Sequence, residues 1–417
     1  MQAVALGLCL GFPTASARWK QGALEAEKGF AMVQARARVT EIQLTHGESY
    51  TFEEYMVDFG KKYSSAAEME KRKVIFARNL AEIVNHNNGN YTWKKHVNRF
   101  ADLSKDEFRE QTRGFDLRKH RRHINFIARR FNKTTTAKAS NTKTCGKTLD
   151  YRTMDIMSPI KNQGMCGSCW AYSSTEALEA HLALAEQKKV VLSAQHMTSC
   201  TPNPEHCGGT GGCMGATAEL AFEYVKTGPS GGITLESEYG PTSYISGQTG
   251  ECNDEMIDSK QCVAALADYG TSINDEDAVV EALCNHGPVV IGVDATDWGA
   301  YSRGILMDTE NWKCGWDVDH AVLLVGFGQE EVPGMDKPVK YWIIRNSWGP
   351  SWGEGGYIRI HRPDTVPSGL DVTPLDGNAC EGETDPIELK GYCGMLSGSA
   401  WPLGVSSKNC ESAERWA

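Results

Sequence analysis

The run Gln163-Gly164-Met165-Cys166-Gly167-Ser168-Cys169-Trp170 leads directly into an apolar, helix-compatible stretch from Ala171 to Ala185. It constrains the chain more than any other segment. A thiol is a useful nucleophile only as thiolate, and the unpaired N–H groups and positive dipole end of a helix's first turn favour that anion. Cys169 sits at such a start. The glycines and Ser168 leave room for a substrate backbone, and Gln163 offers a side-chain N–H₂ to a developing oxyanion. These are the parts of covalent acyl transfer. A redox Cys-x-x-Cys carries its Trp ahead of the pair rather than after it, and no second close Cys or His pair supplies zinc spacing. No metal or cofactor is expected.

The spelling Cys166-Gly-Ser-Cys169-Trp170 resembles the nucleophile signature of the papain-like cysteine proteases. The resemblance implies an α+β, papain-like two-domain fold: a mainly helical left domain, a β-barrel-like right domain and a cleft between them, preceded by a helical propeptide domain. The 417 residues are too many for one ordinary domain. No apolar run approaches the length that spans a bilayer, so no membrane anchor is expected.

Residues 1–144 carry 26 Lys and Arg against 15 Asp and Glu, while residues 145–417 carry 17 against 38. The two parts therefore have opposite sign, +11 and −21, and either attract each other or are simply two differently solvated surfaces. The basic part lacks interleaved aromatics, which argues against a nucleic-acid role. Fourteen cysteines suit an oxidising compartment. Thirteen lie from Cys145 to Cys410, and setting Cys169 aside leaves twelve, enough for six bridges.

Residues 1–17 join an apolar stretch, Ala3 to Phe12, to the small-x-small pattern Ala15-Ser16-Ala17, like a secretory signal cleaved after Ala17. A frayed terminus is the alternative. From Thr51 to Asn87 apolar residues recur at helical spacing, predicting two amphipathic helices broken near Tyr63-Ser64-Ser65. The second contains Glu68, Arg72, Phe76, Asn79, Ile83 and Asn87, largely on one face. That string resembles the ERFNIN motif of papain-family propeptides. His96-Val-Asn98-Arg-Phe100-Ala-Asp102 is similar to the family's Gly-x-Asn-x-Phe-x-Asp segment, with His96 in place of Gly. His96 is either a group titrating near physiological pH or an exposed loop histidine without a role. Residues 18–144 thus read as a propeptide with its inhibitor domain at about 50–110, and residues 145–417 as the mature peptidase. Residues 113–144 read as an exposed connection, with Arg121-Arg122 and Arg129-Arg130 as cut points; Asn90 and Asn132 head glycosylation sequons.

Leu192-Ser193-Ala194-Gln195 opens a helix leading to Cys200, and a glycine-rich turn, Cys207 to Ala216, precedes another from Ala218 to Val225. Beyond about residue 256 short β-rich runs dominate, among them 289–293, 321–325, 341–344 and 357–360. A cleft between such unlike halves is a usual substrate site. Asp319-His320-Ala321, at the head of an apolar strand, supplies a base, and Asn346, followed by Ser347 and Trp348, an amide oxygen to accept the His320 Nδ1–H.

By position in the family, the catalytic set is Gln163, Cys169, His320 and Asn346. Gly215 and Ala216 would bond an extended substrate, and Trp348 would shield the His320–Asn346 bond. Thr217, Ala218, Val318, Ala321 and Gly398 would line the pocket for the side chain two residues before the cut (P2). None of the five is acidic, so an apolar P2 residue is expected. The family's bridges would be Cys166–Cys213, Cys200–Cys252 and Cys314–Cys393; the partners of Cys145, Cys207, Cys262, Cys284, Cys380 and Cys410 stay open. Residues 362–391 read as a surface insertion without an assigned role. The implied protein is a monomeric cysteine endopeptidase zymogen of the secretory pathway, in a lysosome-like acidic vacuole or outside the cell. It acts on proteins and peptides and is inhibited by its own propeptide. A catalytically silent binding protein, or a propeptide-type inhibitor with a vestigial second domain, is the alternative of another class.

Overall fold

A computed structural model describes residues 50–113, 145–229, 231–257, 262–309, 312–377 and 379–412. The signal-like segment, the proposed cut points, Asn132 and residues 18–48 lie outside them. The chain falls into two compact units, residues up to 66 and residues from 67 onward.

In the first unit, α1 (Phe52–Asp58) begins with a capping box in which Thr51 and Glu54 exchange hydrogen bonds. Phe52 and Tyr55 form its buried face. The second helix, α2 (Ala66–Asn88), follows the break near Tyr63 and from residue 67 onward belongs to the larger unit.

In the larger unit, β1 (Trp93–Lys95) and α3 (Lys105–Arg113) complete the N-terminal region, and β2 (Leu149–Asp150) opens the next. Helices α4 (Cys169–Glu186), α5 (Ala194–Cys200), α6 (Ala218–Thr227) and the short α7 (Ser243–Ser246) make the helical half. Every residue of α4 from Cys169 to Ala183 is buried, so this helix has no solvated face and forms the central pillar. Its two buried carboxylates are matched by cations: Glu176 pairs with Arg345 at 2.9 Å and Glu179 with Lys161 at 2.6 Å.

The second half holds β3 (Asp268–Ser272), α8 (Glu276–Asn285), β4 (Val289–Val293), β5 (Tyr301–Leu306), β6 (His320–Glu330), β7 (Val339–Arg345) and β8 (Tyr357–His361). It continues with β9 (Ser368–Asp371), β10 (Ile387–Lys390), β11 (Ser399–Leu403) and α9 (Asn409–Ser412). The mixed nine-stranded sheet runs β1-β5-β8-β7-β6-β4-β11-β3, with β2 beside β6, and β9 and β10 form a separate hairpin. Strand β4 and most of β6 are buried, which explains their near-continuous apolar spelling.

Six disulfides are present among the described residues. Three are Cys166–Cys213, Cys200–Cys252 and Cys314–Cys393. The pairings left open by the sequence are Cys145–Cys284, Cys207–Cys380 and Cys262–Cys410.

Candidate active site

Cys169 is the first residue of α4 and holds the free thiol among the described residues. Its N-cap, Ser168, makes no side-chain cap bond, so no side chain competes for the amides of the helix's first turn. Gly164 shapes the approach: at φ +66° a Cβ there would lie 2.1 Å from the Tyr244 carbonyl oxygen, a position only glycine can take. The backbone N–H of Ala321 reaches Cys169 Sγ at 3.4 Å. The start of β6 is thereby brought to the start of α4, 152 residues away in sequence.

His320, next to Ala321 and buried, stacks on Trp348 with ring centroids 4.7 Å apart. Its Nε2 bonds Asn346 Oδ1 at 2.8 Å. The sequence reading assigned this bond to Nδ1, and the structure corrects it. The ring's orientation depends on where β6 and the 346–348 turn place the two residues, which residue identity does not encode. The Ser347 N–H fixes the same Oδ1 at 2.7 Å.

Gln163 is fully buried. Its Oε1 accepts from Ser347 Oγ at 2.6 Å, and its Nε2 donates to the carbonyls of Cys166 at 3.0 Å and Thr112 at 3.1 Å. Ser347 went unrecognised in the sequence, although its place beside Asn346 was a signal. Thr112 lies in α3, so the N-terminal region contributes an acceptor at the very donor expected to face an oxyanion.

That region covers the site. Strand β1 pairs antiparallel with β5, His96 N–H donates to Ala300 O at 2.8 Å, and Asn98 Nδ2 donates to Gly299 O at 2.6 Å. Phe100 and Phe108 pack edge-on against Trp348 at 5.7 and 5.3 Å. Lys105 pairs with Asp297 at 2.8 Å and Arg109 with Asp317 at 2.5 Å. The six ERFNIN-like positions hold this lid together. Arg72 bonds Glu68, Glu107 and the Asp102 carbonyl; Asn79 reaches the carbonyls of Ala101 and Leu103; Asn87 exchanges bonds with Lys95; Phe76 and Ile83 are buried.

Burial pushes the Cys169 thiol up to about 11, against the pull of the Ala321 and Trp170 amides. The thiolate expected from the helix start is therefore disfavoured in this covered state. Burial likewise pushes His96 down to about 4, so it is neither an exposed loop residue nor one titrating near neutrality here. Burial raises Glu107, but its bonds to Lys71, the Ser104 N–H and Arg72 prevail and hold it at about 2.

Thr217, Ala218, Val318, Ala321 and Gly398 all line one cavity of about 440 Å³, together with Ala216. Carboxylates also line it, namely Glu219, Asp371 and Glu383, which the sequence reading did not place there. Gly215 and Ala216 are buried beside it, at the end of a turn closed by the Gly211 N–H to Gly215 O bond of 2.8 Å. Residues of the 362–391 insertion form part of the same wall. No cluster of three metal-ligating side chains exists among the described residues, and none of their helices is long and apolar enough to cross a membrane.

Residues 145–380 match the papain family cysteine protease domain, and residues 52–108 match the cathepsin propeptide inhibitor domain. Pro-cathepsin H of Bos taurus is 36% identical over 317 residues, covering 76% of this chain and 86% of that protein. A KDEL-tailed cysteine endopeptidase of Arabidopsis thaliana is 33% identical over 347 residues, 83% of each chain. Among solved structures, digestive procathepsin L 3 of Tenebrio molitor larval midgut superposes with a TM-score of 0.62 at 30% identity, over 84% of this chain and 97% of that one.

Proposed function

Since this chain belongs to the papain family of cysteine proteases and carries a cathepsin propeptide inhibitor domain ahead of its protease domain, we propose that Cys169, His320, Asn346 and Gln163 form its catalytic machinery. The observation that carries the reading is the convergence of the Cys169 sulfur on the Ala321 amide, beside a His320 ring whose Nε2 is bonded to Asn346. With Nε2 so committed, Nδ1 is the nitrogen that exchanges a proton with the thiol.

Removal of the lid lifts the burial that keeps Cys169 protonated and leaves the helix-start amides and the imidazolium to hold the thiolate. Such a pairing can lower a thiol pKa to roughly 3–4. The thiolate attacks a peptide carbonyl, and the Gln163 Nε2 and Cys169 N–H groups stabilise the tetrahedral oxyanion. His320 protonates the leaving amine and then activates water. Trp348, stacked on His320, keeps water from the His320–Asn346 bond.

The precursor divides into a signal at 1–17, a propeptide at 18–144 and a mature monomeric enzyme at 145–417. It travels the secretory pathway to an acidic vacuole or the exterior, and six disulfides support that route. Its own propeptide is the inhibitor, and Thr112 occupies the Gln163 donor until processing. Substrates are proteins and peptides with an apolar P2 residue, supported by Ala216, Ala218, Val318 and Ala321 in the cavity wall.

The test is Cys169→Ala. Turnover of Phe-Arg reporter peptides disappears while the thermal transition is retained. Continued cleavage by that variant overturns the mechanism, and equal rates on Phe-Arg and Arg-Arg reporters overturn the P2 assignment.

A further inference from the structure

The insertion at 362–391 is not a free surface loop. Its hairpin pairs Ile387 with Asp371 and Leu389 with Gly369. Because side chains alternate across a strand, Asp371, Ile387 and Leu389 share the face that lines the P2 cavity, while Leu370 points out and is 53% exposed. The segment between the strands presses on the same wall: a Cβ at Gly377 would lie 1.8 Å from the Val318 carbonyl oxygen.

Its far end is clamped to the helical half. Cys380 is bonded to Cys207, Gly208 N–H donates to Ala379 O at 3.0 Å, and Glu381 N–H donates to Glu205 O at 3.1 Å. His206 Nδ1 lies 2.7 Å from Glu381 Oε2. Glu383 closes the turn by accepting the Cys380 N–H at 2.9 Å. Both cysteines of the clamp line the cavity.

We propose that this strap is a specificity element: the inner face of the β9–β10 hairpin, with Ile387 and Leu389 as its principal side chains, is the outer wall of the P2 pocket, and the Cys207–Cys380 clamp fixes how far that wall stands from the helical half. The proposal rests on the P2 assignment made above. A fixed wall faced by Ile387 and Leu389 accepts a large side chain that fills the space and leaves a small one in partial contact, so the wall sets preference by size. It acts on binding of P2, not on the reacting atoms.

The full-length precursor and its variants are processed at acid pH, active sites are counted with a thiol-directed epoxide, and kcat/KM is measured on reporters with Val, Phe or Trp before Arg. Ile387→Trp, which fills the cavity, lowers the Phe reporter about tenfold or more through KM and leaves the Val reporter nearly unchanged. Leu389→Ala, which enlarges the cavity, raises Trp relative to Phe. Cys207→Ser/Cys380→Ser releases the wall and narrows the Phe-to-Val ratio.

Variants that label normally but shift all three reporters equally, or leave the ratios unchanged, overturn the wall. A parent enzyme that labels and cleaves without preferring Phe to Val overturns the P2 assignment itself. A parent that does not label overturns the catalytic reading instead.

Discussion

The carbonyl oxygen of Thr112 accepts a hydrogen bond from Gln163 Nε2 at 3.1 Å, so one backbone atom of the N-terminal region holds the donor proposed for the oxyanion. The same amide is oriented from its other end by the Ser347 hydroxyl. After processing, Gln163→Ala lowers kcat by about 10²–10³, the cost of one such donor, with epoxide labelling of Cys169 retained. Ser347→Ala costs less, because it loosens Gln163 without removing it. Active-site-titrated kinetics on the Phe-Arg reporter check both.

Acid should loosen the lid through its histidines. Burial holds His86 and His96 at about 4, below the usual value near 6.5. A group whose folded pKa is depressed in this way is held neutral, and the released chain binds more protons as pH falls. Stability of the closed state is therefore full above pH 6.5 and declines between there and about pH 4. Around His86 stand Lys94 and Lys95, which oppose its charging, and Glu82, which favours it. His96→Gln, or His86→Gln, moves the midpoint of autoprocessing to lower pH, measured as release of active sites between pH 7 and pH 4.

The Glu107 ion pairs should not respond in that window. With its carboxyl held at about 2, their contribution is present above the ordinary carboxylate range and is lost only as pH falls towards 2. Glu107→Gln consequently raises premature active-site release at neutral pH and leaves the acid midpoint set by the histidines largely in place.

Lys105–Asp297 and Arg109–Asp317 give the opposite charges of the two parts a structural form. Both pairs are partly exposed, and such pairs are worth about 0.2–1 kcal/mol and are screened by salt. Arg109→Ala therefore increases active-site release at neutral pH by about fivefold at most. Half-molar salt should accelerate the parent and have less effect on Lys105→Ala/Arg109→Ala.

Arg345 and Glu176 are both buried to the last few percent. Removing one member leaves the other charge unpaired, at a cost of about 3–5 kcal/mol, so Arg345→Met markedly lowers the urea midpoint. Arg345→Met/Glu176→Leu recovers much of the loss, because neither charge then remains.

The chain's local patterns were enough to place Cys169 at a helix start and to find the prosegment helix. A thiol at a helix start, a three-and-four spacing from Glu68 to Asn87 and a histidine heading an apolar strand are relations among neighbours, and neighbours constrain one another through backbone geometry. Tertiary structure alone decided which His320 nitrogen meets Asn346, that Cys207 bonds Cys380 across 173 residues, that His96 is half-buried, and that residues 362–391 wall a cavity instead of decorating a surface. Those outcomes depend on how separate elements are oriented and packed, and a spacing along the chain carries no record of either.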